Sequence, residues 1–298
     1  MEKLLRGTDV AARIQSEVKA AAGAIKQKYG KYPTLCAVQV GDSQEALLYL
    51  EFQRKVAQRL SINYLEKKLP AQTTQSSLIG LLEELNNDKK INGIIVQLPL
   101  PLHFDTAVIW DCIAPIKDVE GVHPENLGKI VLNQKSFVPC TAYAVMELLS
   151  AAKVDLTGKE AVVIGHSRIV GKPLSLMLMN ALSTVTVCHI ATAERGHLQE
   201  HVGRAEVLVV AVGKPNLVKG DWVRPGAVVV DVGINCVGGK VVGDVEFEEA
   251  KKRAAFITPV PGGVGPVTVS VLMRNLVEAT RLQLGNVKSI IKNCKGTY

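Results

Sequence analysis

Two glycine-rich stretches suggest close backbone contact with a ligand, in the first case a phosphate. Gly165-His166-Ser167-Arg168-Ile169-Val170-Gly171 stands between a strand-like apolar run and a helical pattern. A glycine-bearing turn there lets backbone N–H groups at a helix start approach a phosphate. Ser167 occupies the place of the second glycine in a G-x-G-x-x-G fingerprint, so an ordinary tight turn fits too. The second stretch, Pro261-Gly262-Gly263-Val264-Gly265-Pro266-Val267-Thr268, holds more glycine than a turn needs. Close approach of backbone to a ligand is the better reading there. A dinucleotide fold usually ends its next strand in an acid that holds the adenosine ribose. Here that run ends in His189 and Ile190, so the ribose clamp is missing. The nearby cations for a 2′-phosphate are Arg168 and a protonatable His166.

The first half holds the other candidates. Tyr49 and Gln53 are four apart on an expected helix and share a face. Gln97 closes a strand at its carboxyl end, where open α/β sheets bind ligands. Lys117-Asp118-Val119-Glu120-Gly121 is a charged loop, and each of these polar residues taken singly reads as solvated or capping. Residue types and spacing thus reach a two-domain α/β protein with a nucleotide cofactor.

Alternating apolar runs and helical patterns must position these groups, which argues for parallel sheets with crossover helices. Residues 34–41 read as a strand, 44–60 as a helix, 62–69 as a strand, 73–88 as a helix and 91–101 as a strand stopped by prolines. From residue 160 onward, EAVVIG, STVTVCHI, EVLVVAVG, GAVVVDVGIN and AFITPVPGG read as five buried strands. Such continuous apolar runs suit a sheet covered on both faces. The last helical pattern, residues 267–284, is expected to return to the first domain, followed by a loosely held polar tail after Gly285.

Composition removes several classes of function. With 298 residues, 47% hydrophobic and 21% charged, the chain suits about two globular domains. The net charge of +7 includes no basic run of five or more, and aromatic residues are only 4%, which argues against a base-stacking nucleic-acid surface. Its six cysteines form no C-x-x-C pair, so neither a metal site nor a disulfide framework is expected. The N-terminus reads as an amphipathic helix rather than a signal peptide, and the apolar runs are strand-sized. A cytoplasmic protein with no membrane partner is expected.

Taken together, VQVGD, VQLPLP, KDVEGVHPENLGK, FVPCT, GHSRIVGKP, KVVGDV and ITPVPGGVGPVT resemble the methylenetetrahydrofolate dehydrogenase/methenyltetrahydrofolate cyclohydrolase family. The resemblance implies an N-terminal α/β folate domain (1–142 with 272–298), a C-terminal Rossmann-like domain (143–271), a cleft between them and a homodimer. It implies hydride transfer from 5,10-methylenetetrahydrofolate to NADP or NAD, then hydrolysis of the methenyl cation to 10-formyltetrahydrofolate. Catalytic positions carried over are Tyr49, Gln53, Gln97 and Glu120. Tyr49, Gln97, Pro99, Glu120 and Gly265 would bind the folate. The cofactor positions are Gly165, His166, Ser167, Arg168, Ile190, Ile234, Gly265 and Thr268.

The departures from the family pattern shape the expected activity. The helix pattern Y-[V/I]-x-x-K-x-K reads Y-L-E-F-Q-R-K here, so Gln53 stands for the catalytic lysine. Lys55, two residues on, lies about 200° around the helix. Glu120 replaces the aspartate of KDVDG, His166 the arginine of GRS and Ile190 a serine, while PCTPxG reads Pro139-Cys140-Thr141-Ala142-Tyr143-Ala144. Dehydrogenation needs no proton transfer and is expected to survive. Hydrolysis needs a group titrating near neutrality, so the cyclohydrolase is expected to be weak or lost. The alternatives are a fully bifunctional enzyme with a replacement base, a non-catalytic nucleotide- or folate-binding relative, and a dehydrogenase of a modified one-carbon carrier. Discrimination between NADP and NAD is expected to be weaker than the family norm, with NADP gaining at acidic pH.

Overall fold

Short apolar runs followed by amphipathic stretches build two parallel sheets with crossover helices. The computed structural model describes residues 4–285. In chain order the first elements are α1 (Gly7–Tyr29), β1 (Thr34–Val40), α2 (Gln44–Arg59), β2 (Asn63–Leu69), α3 (Gln75–Asn87), β3 (Gly93–Val96), α4 (Thr106–Asp111) and α5 (Pro124–Val131). Next come α6 (Cys140–Ala151), β4 (Glu160–Ile164), α7 (Gly171–Asn180), β5 (Thr184–Cys188), α8 (Ile190–Glu194), α9 (Leu198–Arg204) and β6 (Val207–Val210). The last are β7 (Val228–Asp231), β8 (Asn235–Val237), β9 (Lys240–Val242), α10 (Phe247–Arg253), β10 (Phe256–Ile257) and α11 (Val264–Gln283).

These elements form two compact units, one of residues 13–138 with 269–285, the other of 4–12 with 139–268. The junctions at 138/139 and 268/269 stand beside the expected 142/143 and 271/272. Residues 4–12 group with the second unit because their backbone is tied there. Leu5 N–H donates to Ile257 O and Gly7 N–H to Gly262 O, both at 2.9 Å.

In the first unit the sheet runs β2-β1-β3, all parallel. Every residue of β1 is buried. Its Cys36, Val38 and Val40 meet Leu78, Leu82 and Leu85 of α3 and Ile94 and Val96 of β3 in one apolar core. Burial pushes the Cys36 thiol up to about 11. The strand expected over 91–101 pairs only from Gly93 to Val96, since Pro99 and Pro101 have no N–H to donate. Gln97 N–H still reaches Val38 O at 2.8 Å, and the Leu98–Pro99 peptide is cis.

In the second unit a parallel sheet runs β10-β7-β6-β4-β5, with β8 and β9 as a separate antiparallel pair. β6 and β7 are wholly buried and β4 nearly so. β5 corrects the expectation of cover on both faces: it lies at the sheet edge, with Thr184 and Val187 exposed. β4 is flanked by β5 on one side and β6 on the other, the topological switch point where such sheets bind ligands. Among the described residues no helix is long and apolar enough to cross a membrane. The tail after Gly285, with Cys294, lies outside the described residues.

Candidate active and cofactor sites

The buried stripe of α2 runs through Ala46, Leu50, Gln53 and Ala57 and continues to Leu60 just after the helix, each no more than 3% exposed. Their spacing of four and three residues is that of a core-facing helix, so Gln53 places a carboxamide where the pattern calls for an apolar side chain. Burial of such a group is tolerable only when it is hydrogen-bonded. Gln53 Oε1 accepts from the Tyr64 hydroxyl at 2.8 Å and from Gln97 Nε2 at 3.2 Å. Tyr64 comes from β2, Gln97 from the residue after β3, so three elements of one unit converge on this amide. Burial raises the Tyr64 phenol well above its ordinary range, which keeps the hydroxyl a donor. Tyr49 is on the exposed side of α2 and Pro99 is exposed after the strand. Lys55 Nζ pairs with Glu51 at 2.6 Å on the solvent side of α2. Sequence reading missed Tyr64; nothing but its alternation with exposed neighbours on β2 marks it.

The charged loop divides into bracing residues and one that is left over. Lys117 Nζ donates to Leu85 O at 2.9 Å and to Asp88 O at 2.8 Å, closing the carboxyl end of α3 as a cation should. Asp118, 1% exposed, gathers four donors. Gly121 N and Val122 N reach its Oδ1 at 3.0 and 3.2 Å, while His123 N and Asn126 Nδ2 reach its Oδ2 at 2.9 and 2.8 Å. These bonds shape the turn into α5. Glu120 sits inside that turn, partly buried, and among the described residues no donor reaches its carboxyl. Burial, then the charge of Asp118, pushes Glu120 up to about 7.

In the second unit the turn after β4 emerges at the switch point. Gly165 has φ 115°, and a Cβ there would stand 2.3 Å from Ala211 O; one on Gly171 would stand 2.0 Å from Gly165 O. Both glycines are therefore required by the protein's own packing, which is the tight-turn reading. His166 and Ser167 are exposed, Arg168 is half-buried, and Ser167 Oγ accepts from Val170 N at 3.2 Å. The His166 and His189 rings lie 5.2 Å apart, and Ile190 is 72% exposed. A turn at the switch point with exposed His166 and Ser167 is compatible with a dinucleotide phosphate group.

The later glycine-rich stretch is partly accounted for by packing. A Cβ on Gly263 would stand 2.6 Å from Pro259 O, and one on Gly7 would stand 1.7 Å from Gly263 O, whereas Gly265 faces open space. Thr268 Oγ1 donates to Val264 O at 3.2 Å within α11. Ile234 is exposed on a loop braced by two buried acids that sequence reading passed over. Asp231 accepts from Gly233 N, Asp244 N and Val245 N at 3.0, 3.0 and 2.9 Å. Asp244 accepts from Val212 N, Gly213 N and Asn235 Nδ2 at 2.8, 3.0 and 2.9 Å. Burial pushes Asp231 up to about 7 against the pull of its N–H donors. An acid inside the run VVVDVG is the signal that could have revealed it.

Two family models match the chain. Residues 5–120 fit the catalytic domain of tetrahydrofolate dehydrogenase/cyclohydrolase and residues 139–284 its NAD(P)-binding domain. The bifunctional protein FolD of Pelobacter propionicus is 46% identical over 282 residues, covering 94% of this chain and 98% of that one. The crystal structure of the bifunctional enzyme FolD from Campylobacter jejuni has a TM-score of 0.90 at 43% identity, covering 94% and 98% of the two chains. The N5,N10-methylenetetrahydrofolate dehydrogenase-cyclohydrolase of Trypanosoma brucei, solved with NADP and an inhibitor, has a TM-score of 0.91 at 38% identity, covering 94% and 98%.

Proposed function

The chain belongs to the tetrahydrofolate dehydrogenase/cyclohydrolase family, and on that premise we propose that it oxidises 5,10-methylenetetrahydrofolate with NADP or NAD but hydrolyses the methenyl product slowly or not at all. Hydride departure leaves a cation that the flanking ring nitrogens stabilise, and no proton has to move. When bound, the nicotinamide supplies the hydride acceptor. Orientation and exclusion of water are the chain's share of the work. Tyr49, Gln53, Gln97, Pro99 and Glu120 would hold the folate. Gly165, His166, Ser167, Arg168, Ile190, Ile234, Gly265 and Thr268 would hold the dinucleotide.

The observation that carries this reading is Gln53. It stands in the lysine position of the family pattern, 1% exposed, and its oxygen is taken by two neutral donors. Attack of water on the methenyl carbon must release a proton, and ring opening must return one to nitrogen. A desolvated lysine can carry that proton; a carboxamide cannot. Lys55 is held by Glu51 on the solvent side. A general acid/base is worth about 10²–10⁴-fold, so Gln53→Lys should raise hydrolysis of added methenyltetrahydrofolate by about that factor. An unchanged rate would count against the argument.

A second reading has a specific observation in its favour. Glu120, pushed up to about 7, titrates where a general base works best, which supports it as a replacement for the lysine. Under that reading Glu120→Gln abolishes a fast wild-type hydrolysis and Gln53→Lys adds little. We further propose a homodimer in the cytoplasm. The sheet edge β5, with Val187, Met179 and Leu182 exposed beside or near it, supports an apolar partner surface, and light scattering at the mass of a dimer is the expected result.

A further inference from the structure

The folate-site reading gives Tyr64 no task, yet the hydrogen bonds at Gln53 point to one. Gln53 Oε1 accepts from both Tyr64 and Gln97. Turning a carboxamide over exchanges its acceptor for its donors with little change in shape. The contact between Gln53 and Gln97 does not choose a direction, because turning both amides over restores the same contact with reversed polarity. The Tyr64 hydroxyl does choose. Among the described side chains, Gln53 Oε1 is the acceptor for its proton. Were Gln53 turned over, its N–H would donate to the phenol oxygen and the phenol proton of half-buried Tyr64 would turn to a side where no described side chain accepts it, so the observed polarity keeps a protein bond that the reversed one loses.

Resting on the reading that Gln53 faces the folate, we propose that Tyr64 is a positioning residue that locks the Gln53–Gln97 pair in one polarity. In that polarity Gln53 presents two N–H donors and Gln97 a carbonyl acceptor to the bound substrate. Among the described residues neither Gln53 Nε2 nor Gln97 Oε1 has a protein partner, so both remain available. The face offered is a neutral hydrogen-bonding edge: able to orient a substrate amide or ring nitrogen, unable to take up a proton.

A double-mutant cycle tests this through the substrate's kinetics. Tyr64→Phe removes only the hydroxyl. In the Gln53 protein it should lower kcat/KM for methylenetetrahydrofolate about tenfold, the effect of one lost orienting bond, with KM for NADP little changed. In the Gln53→Lys background the same change should matter less than about twofold, because an ammonium donates in every direction and has no polarity to lock. An equal loss in both backgrounds, or none in either, overturns the proposal. Neutron diffraction from deuterium-exchanged crystals of the wild type reads the orientation without any turnover. Deuterons on Gln53 Nε2 pointing away from Tyr64 and Gln97 are expected; deuterons pointing toward them refute the lock. A wild type inactive as a dehydrogenase but with the expected deuterons would sink the functional reading and leave the lock standing.

Discussion

Replacing Glu120 by glutamine keeps the side chain's shape and removes its proton equilibrium. In the folded chain, burial and then the Asp118 charge push this carboxyl up to about 7 from an ordinary 4.5. Below pH 4.5 the folded and unfolded chains both carry the proton, and the site contributes no difference. Between 4.5 and 7 the unfolded chain releases the proton while the folded chain retains it, so the stability of the fold falls as pH rises, and above about 7 the full penalty of this buried carboxylate is in place. At about 1.4 kcal/mol per tenfold step, the gap corresponds to about 3 kcal/mol, trimmed to about 2–3 kcal/mol because water reaches part of the residue. Glu120→Gln should therefore match the wild type at pH 4 and exceed it by about 2–3 kcal/mol at pH 8.5. Each unit carries one of the two tryptophans, Trp110 and Trp222. Urea unfolding followed by Trp110 fluorescence in a Trp222→Phe background reports the relevant unit, with the slope checked for constancy. A difference that does not change with pH, or that shrinks toward alkaline pH, refutes the reasoning.

Asp118→Asn tests the brace beneath Glu120. Asparagine can keep the Gly121 and Val122 bonds but turns an N–H₂ toward His123 N and Asn126, and Asn126 is already committed to Pro115 O at 3.1 Å. Two charge-assisted bonds are lost, so a destabilisation of about 3–5 kcal/mol is expected in the same urea assay, and less than about 1 kcal/mol contradicts it. Cofactor choice gives the next test. A guanidinium offers a 2′-phosphate a permanent, forked charge that an imidazole does not. The ratio of kcat/KM for NADP to that for NAD should therefore rise in His166→Arg. An unchanged ratio would remove His166 from cofactor choice.

Much of the architecture was legible because continuous apolar runs such as VLVV and VVVD have few alternatives to a buried parallel strand. The position of β5 at the edge was not, since STVTVCHI carries the same β-branched residues and only its threonines hint at solvent. The hairpin β8–β9 has three residues per strand, too short for a period to register. In the site, Gln53 was visible as a departure from a motif, but its partner Tyr64 was not. That contact joins α2 to an edge strand, and a one-dimensional pattern holds no trace of it. Asp118 and Lys117 belong to the same motif as Glu120, yet their hydrogen bonds brace the loop and α3. Of the later glycine-rich stretch, Gly263 is explained by its approach to Pro259 O, while Gly7 is explained by its approach to Gly263 O, a contact between residues far apart in sequence.

The central claim is that oxidation survives at this site while hydrolysis does not. The direct measurement mixes wild-type enzyme, methylenetetrahydrofolate and NADP, and follows reduced cofactor and the methenyl absorbance band together. Methenyltetrahydrofolate should accumulate in step with NADPH and then decay at the rate seen without enzyme. Decay that accelerates in proportion to enzyme concentration, with no accumulation, would contradict the claim.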